Sequence, residues 1–353
     1  MGRSDLWKGS SLSARESSVL VVGGAGYIGC HAAHTLRRNG YDAIIYDNLS
    51  RGHRFLAEGF ELIEADIANR AELSRALKRV SGVMHFAADS QVGESVENPR
   101  KYFSNNVEGG LALLNAVVDA GVGKFIFSST CAVYGIPEKV PITETTPRRP
   151  VNPYGMSKLF FENALEAYAR AYGLRSMSLR YFNAAGADES GNIGELHHPE
   201  SHVIPLALKA VTGERGPLEV FGSDYPTPDG TCIRDYIHVN DLAEAHVLAL
   251  KQLDRVEGAS QLNLGTGSGA SVQQLVATIE EVTGKTVPRR VGTRRAGDPP
   301  ELVADPSRAR AVLGWKPTRS LRDIVQTAWQ WEQNLRTRSN DVARAAVTQG
   351  KEA

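Results

Sequence analysis

Apolar residues come in short bursts along this chain, and most bursts lead into a longer stretch where they recur every three or four positions. Val19–Val22 is four apolar residues in a row, three of them β-branched. It predicts a short buried strand. Tyr27, Ile28, Ala32, Ala33 and Leu36 follow at helical spacing. The same alternation predicts strands at Tyr41–Tyr46, ending in Asp47, at Phe60–Ala65, ending in Asp66, and at Val83–Ala88. Further strands are expected at Lys124–Ser129 and Leu174–Arg180, with helices at Ala71–Val80, from Pro99 to about Ala120, and at Tyr154–Tyr172. Strands alternating with helices predict an α/β fold, a Rossmann-type doubly wound parallel sheet with helices on both faces. Ligands of such sheets lie at the carboxyl ends of the strands, and Asp47, Asp66, Ala87, Ala88, Ser129 and Thr130 fall there.

After Asn183 the pattern breaks. Residues 184–235 are rich in Gly, Pro, His and Asp, with one helix near His202–Val211. Asp241–Leu253 reads as a helix, Gln261–Leu264 as a buried strand, and Thr283–Gly297 as a basic loop. Two last helices are expected near Pro306–Leu313 and Leu321–Leu335. The expected division is a dinucleotide-binding domain over 18–188 with 236–275 packing back on it, and a smaller substrate lobe from 189–235 and 276–336. Residues 1–17 read as a disordered leader without a signal-peptide apolar region, and 337–353 as a loose tail.

Composition narrows the classes. Forty basic residues balance forty acidic ones, so net charge offers no drive toward nucleic acid or anionic membrane. No apolar run approaches the ~18 residues of a membrane span. Cys30, Cys131 and Cys232 are far apart and odd in number, so neither a disulfide framework nor a zinc pair is implied, and a reducing compartment fits.

The first candidate chemistry follows the first strand. Glycines at 23, 24, 26 and 29 satisfy G-x-G-x-x-G between a strand and a helix, the context that gives this motif meaning. Such a turn lets a pyrophosphate approach the backbone and meet the free N–H groups of the helix start. Asp47 lies near the ~20-residue offset at which a carboxylate meets ribose hydroxyls, which points to NAD over NADP, with Arg51 softening the discrimination. The plainer alternative is a glycine turn with no ligand. The second candidate is Tyr154-Gly-Met-Ser-Lys158, where a phenol and an ammonium share one helix face. A lysine cation favours the phenolate, making Tyr154 a candidate general base. The plainer reading is a helix-start tyrosine above a surface lysine.

Ser128-Ser129-Thr130 and Tyr181-Phe182-Asn183 close the fifth and sixth strands. With GGAGYIG (23–29), YDNLSRG (46–52), HFAA (85–88), VGESVENP (92–99), NNVEG (105–109), FSSTCAVYG (127–135), NPYGMSK (152–158), LRYFNAAGA (179–187), GSDYPTPDGTCIRDYIHV (222–239) and RRAGD (294–298), they cover most of residues 18–335. In these stretches the chain resembles the UDP-sugar 4-epimerases of the extended short-chain dehydrogenase/reductase family. The resemblance implies tightly held NAD and interconversion of UDP-glucose and UDP-galactose through a 4-keto sugar. It implies Tyr154, Lys158 and Thr130 as the catalytic set. Cofactor contacts would come from Gly23, Gly26, Tyr27, Ile28, Gly29, Asp47, Asn48, Leu49, Asp66, Ile67, Phe86, Ala87, Ala88, Asn106, Tyr154, Lys158 and Phe182. Asn183, His202, Val203, Phe221, Arg234, Arg295, Asp298 and Leu302 would hold the UDP-sugar. A cytoplasmic homodimer through the helices near 99–120 and 154–172 is implied as well.

This chain departs from the family pattern at four places. Thr130 stands where Ser is common, Ser90 where a lysine is common, His202-Val203 replaces a small polar motif near the diphosphate, and Leu302 falls where many members carry a bulky tyrosine. The sugar stays open among UDP-glucose/galactose, their N-acetyl forms and UDP-xylose/arabinose. A 4,6-dehydratase needs an acid–base pair directly after the hydroxyl residue, and Cys131 and Ala132 stand there. A non-catalytic NAD-binding scaffold predicts loss of the tyrosine, lysine or hydroxyl, and all three are present. A dehydrogenase that releases NADH is a further alternative. No metal is expected, because His197, His198 and His202 lack a carboxylate at metalloprotease spacing and the implied reaction needs no Lewis acid.

Overall fold

The computed structural model describes the backbone of residues 14–295 and 297–349. Seven strands form one parallel sheet: β1 (Ser18–Val22), β2 (Asp42–Asp47), β3 (Glu61–Glu64), β4 (Gly82–His85), β5 (Lys124–Thr130), β6 (Arg175–Tyr181) and Ala259–Leu264. Their order is Ala259–Leu264, β6, β5, β4, β1, β2, β3, and every neighbouring pair is parallel. The chain order reverses between β1 and β4, which opens a crevice at their carboxyl ends.

The apolar bursts of the sequence are strands covered on both faces. In β1, Val19 and Val21 enter one core with Ala32, Ala33 and Leu36 of the helix Tyr27–Arg38. Leu20 and Val22 enter the opposite core with Leu73, Leu113, Phe125 and Phe161. That two-residue alternation is the pleat expressed as packing. The helix Val239–Gln252 returns to the first of these cores through Leu242, Ala245 and Leu250.

Several elements differ from the sequence pattern. The expected strand Val83–Ala88 leaves the ladder after His85, because Phe86 and Ala87 both donate their N–H to Val22 O. The helix expected from Pro99 to Ala120 is α over Pro99–Tyr102, π over Phe103–Gly109 and α over Gly110–Asp119. In that widened segment Asn106 is buried and reaches Asp89 and Ser157. The basic loop expected at Thr283–Gly297 contains a strand, Arg289–Gly292, paired in parallel with Leu218–Phe221. Its exposed charged residues hide the pattern, and its partner lies about seventy residues earlier. Of the expected leader, residues 1–13 lie outside the described ones, and Ala14–Ser17 forms one helical turn. Of the expected tail, residues through 349 continue the last helix, Leu321–Gln349, and 350–353 lie outside the described residues.

Two more small sheets are formed among the described residues. Asn183–Ala185 pairs with Tyr236–His238, and Ile233–Arg234 sits between Ala270–Ser271 and Glu301–Leu302. A third core, with Ile204, Leu208, Leu218, Val220, Leu275, Ile279 and Val325, underlies this region.

Candidate active site

The glycine turn after β1 is shaped by contact. Gly23 has φ +81°, and a Cβ there would stand 2.4 Å from the Ala87 nitrogen. No L side chain fits that approach of two strand ends. Gly26 is different: a Cβ there would meet only Gly23 O, at 3.4 Å. Gly26 is also the N-cap of the helix Tyr27–Arg38, with no side-chain cap and no acid in the first turn. The first N–H groups and the positive end of that helix are therefore left for an anion.

Asp47, 7% exposed, closes β2. Its carboxylate accepts from the Ala25 N–H at 2.9 Å and the Leu49 N–H at 2.8 Å, and Leu49 takes φ +57° to make the turn. Burial raises the Asp47 pKa while those two N–H groups work against the rise. Asn48 donates to Asp66 at 2.7 Å, and Asp66 accepts from the Ala68 N–H at 2.8 Å, with Ile67 buried between them. Tyr27 turns away from the crevice, since its hydroxyl donates to Gly186 O at 2.6 Å. Phe86 packs on His246, ring centroids 4.9 Å apart. Ile28 is half-buried against the first core, and Ala88 is half-buried just past β4.

A second group gathers at the ends of β5 and β6. The helix Pro153–Tyr172 starts with Asn152, whose side chain accepts from the Gly155 N–H at 2.8 Å, and with proline in its first turn. A Cβ on Gly155 would stand 2.6 Å from Ala132 O, so glycine lets the helix start rest on the turn after Thr130. Tyr154 and Thr130 are thereby neighbours. The Thr130 hydroxyl accepts from the Ala132 N–H at 3.1 Å. Burial pushes the Tyr154 phenol up to about 12, and the Thr130 hydroxyl pulls against that rise. Lys158 follows one turn later, with Nζ 5.8 Å from the Tyr154 ring centroid and donating to Ser128 O at 2.7 Å.

Burial opposes charge on both members of this pair: it raises the Tyr154 phenol and lowers Lys158 to about 7, with Glu162 working against the fall. A stability consequence follows. The unfolded lysine titrates near 10.5 and the folded one near 7, so between these values the unfolded chain holds a proton the folded chain has lost. Stability of cofactor-stripped protein should rise with pH across that window through this group. Urea midpoints at several pH values should show a smaller rise in Lys158→Met than in wild type, and an unchanged rise would contradict the buried lysine.

The third group comes from the smaller sheets. Arg234 pairs with Asp298 at 2.5 Å, and the exposed Arg295 lies over the Phe221 ring at 3.9 Å. Leu302 stands opposite Arg234 in the short parallel ladder and packs beside Cys131 and Phe182. It joins this group to the turn that follows β5. Asn183 donates its N–H and its side-chain amide to Asp235 O, at 3.0 and 3.2 Å. His202 is the N-cap of the helix Val203–Thr212 without a side-chain bond to it, because its Nδ1 faces Glu195.

Comparison with known proteins places this arrangement. Residues 19–265 match the NAD dependent epimerase/dehydratase family. A UDP-glucose 4-epimerase of Rhizobium leguminosarum bv. trifolii is 50% identical over 89% of this chain and 97% of its own length. The crystal structure of UDP-glucose 4-epimerase from Brucella ovis in complex with NAD is 50% identical, with TM-score 0.87 over 89% of this chain and 97% of that one. A Stenotrophomonas maltophila UDP-glucose 4-epimerase with bound NAD and formylated UDP-arabinopyranose is 40% identical, with TM-score 0.88 over 91% and 99%. The chain belongs to the NAD-dependent epimerase/dehydratase family.

The residues present fit the cofactor of this family. The uncapped helix start at Gly26, where little would crowd a Cβ, and the buried carboxylate of Asp47 supply the groups that a dinucleotide's phosphates and ribose need. Sequence reading missed what stands behind Lys158. Arg180, 1% exposed, donates to Glu162 at 2.8 and 2.6 Å, and Glu162 also accepts from Ser129 at 2.6 Å. Arg180 also donates to Tyr134 OH at 2.8 Å. The signal was a glutamate one turn beyond Lys158 and an arginine inside an apolar strand. Also missed was the group after β4, where Arg51 and Lys101 approach Asp89 at 3.6 and 3.0 Å.

Proposed function

We propose that this protein is a UDP-glucose 4-epimerase, interconverting UDP-glucose and UDP-galactose with NAD retained between turnovers. The contact of Tyr154 with Thr130 at the mouth of the NAD cradle carries the reading, supported by family membership. Tyr154 takes the proton of the sugar 4-hydroxyl and returns it after the 4-keto sugar has turned. Thr130 hydrogen-bonds the same hydroxyl and favours the ionised phenol. When bound, oxidised NAD supplies the hydride acceptor for C4, and its positive charge favours the phenolate. Gly23, Gly26 and Gly29 with the helix start hold its pyrophosphate, Asp47 the adenosine ribose, and Lys158 the nicotinamide ribose. Arg234 and Arg295 bind the UDP phosphates, since guanidinium groups match phosphate oxygens, with Phe221, Asn183 and Asp298 around the nucleotide.

The dehydratase reading has no acid where it needs one. Cys131 is buried and its thiol is pushed up to about 12. A homodimer is supported by Val96, Phe103, Met156 and Phe160, which are exposed apolar side chains on or beside the helices near 99–120 and 154–172. Three free thiols support the cytoplasm.

The test is turnover of UDP-sugars by purified protein without added NAD. UDP-galactose should be converted to UDP-glucose, and failure of both directions would overturn the proposal. Leu302 sets a finer expectation, because leucine leaves more room beside the sugar than a tyrosine would. Activity on the UDP-N-acetylglucosamine/galactosamine pair should be measurable, and Leu302→Tyr should lower it relative to the glucose pair by ~10–200-fold, the scale of one pocket contact. An unchanged ratio would remove Leu302 from that role.

A further inference from the structure

We propose that Glu195, His197, Glu200 and His202 form a binding site for a divalent transition metal of the zinc class. Along the sequence these residues look unrelated to metal binding, since their spacing matches no helical zinc motif. The loop before the helix Val203–Thr212 folds them onto one point. One ligand atom from each of the four lies within 4.8 Å of every other. His197 and His202 both present Nδ1 to the same oxygen, Glu195 Oε1, the former at 3.0 Å and the latter in closer contact. Glu200 Oε1 lies 3.9 Å from His197 Nδ1. The two imidazole rings stand nearly perpendicular, at 81° with centroids 5.3 Å apart, so they converge on the carboxylate from two directions.

The donor set selects the ion. Two imidazole nitrogens with one or two carboxylate oxygens suit zinc, cobalt or nickel, whereas magnesium and calcium prefer oxygen alone.

The ligands are also supported from behind. Both glutamate side chains are only 6% exposed. The Glu195 carbonyl accepts from Trp331 Nε1 at 2.8 Å, and Glu200 accepts from the N–H groups of Ser201 and His202 at 2.8 and 2.9 Å. The loop carbonyls of Leu196, His198 and Pro199 meet the side chains of His53, Arg51 and Gln91, which follow β2 and β4. The His202 side chain, 52% exposed, leaves a path for the ion to enter. A metal here would pin this loop against the strand ends that carry the cofactor cradle, a structural clamp rather than part of the reaction.

The test uses the full chain, treated with chelator, dialysed and titrated with Zn2+ by calorimetry and with Co2+ by visible absorbance. One ion per chain is expected. His197→Ala and Glu195→Gln should each weaken binding by at least ~100-fold, the upper scale of losing a metal's supporting partners, and His198→Ala should not. His197 is partly exposed, so its variant stays informative if Glu195→Gln fails to fold. Circular dichroism confirms the fold of each variant. Absence of stoichiometric binding, or equal affinity in wild type and His197→Ala, would overturn the proposal.

Discussion

Tyr154→Phe should lower kcat for UDP-galactose by ~10²-fold or more while fold and NAD content stay as in wild type. The substitution removes one oxygen and keeps the ring, which stands 6.4 Å from Tyr102 in an edge contact. General-base loss costs ~10²–10⁴-fold, so the effect should be visible above any packing loss. The phenol, pushed up to about 12 by burial, is by itself weakly ionised near neutral pH. In the proposed mechanism its ionisation is favoured by Thr130 and by the charge that bound NAD brings, and Phe can answer to neither. The measurement is coupled detection of UDP-glucose, with the nicotinamide released on denaturation counted in parallel. Near-normal turnover would remove Tyr154 as the base. Loss of NAD together with activity would instead mean that the phenol serves the cradle.

Glu162→Ala should cost ~3–5 kcal/mol of stability, because it leaves a buried guanidinium without its carboxylate. Arg180 is 1% exposed and Glu162 is fully buried. Arg180 keeps Tyr134 OH at 2.8 Å, which is an oxygen but no countercharge, and Ser129 loses its acceptor. The double substitution Glu162→Leu with Arg180→Met should recover much of the loss, since a dry apolar pair replaces a pair of desolvated ions. Urea unfolding of the single and double variants checks both statements. A single-variant cost below ~1 kcal/mol, the level of an exposed pair, would show that water reaches this site. Glu162 lies one turn beyond Lys158 and raises its pKa, so its removal should also lower that lysine further.

The framework of this protein was legible because its causes are local. A strand buried on both faces must be a short apolar run, and a helix on one face must repeat every three or four residues; Val19–Val22 and Tyr27–Leu36 satisfy each within a few positions. The glycines of the turn and the Tyr154/Lys158 pair are likewise set by spacing within one turn or one loop. Even the glycine at 155, which lets Tyr154 approach Thr130, lies inside a legible motif.

Other features depend on partners distant in the chain. Arg289–Gly292 is a strand only because Leu218–Phe221 supplies its hydrogen bonds, and its side chains carry no apolar alternation to announce it. Arg234 and Leu302 meet across a two-residue ladder whose halves are nearly seventy positions apart. The burial around Tyr154 and Lys158 was out of reach of the sequence for the same reason: spacing sets which face a side chain shares, but the amount of water around it is set by every element that packs there. Glu195, His197, Glu200 and His202 sit close in sequence, yet only the loop's anchoring to His53, Arg51, Gln91 and Trp331 turns them toward one point. Local periodicity is written in a window of a few residues, whereas desolvation and convergence are sums over the whole surrounding structure.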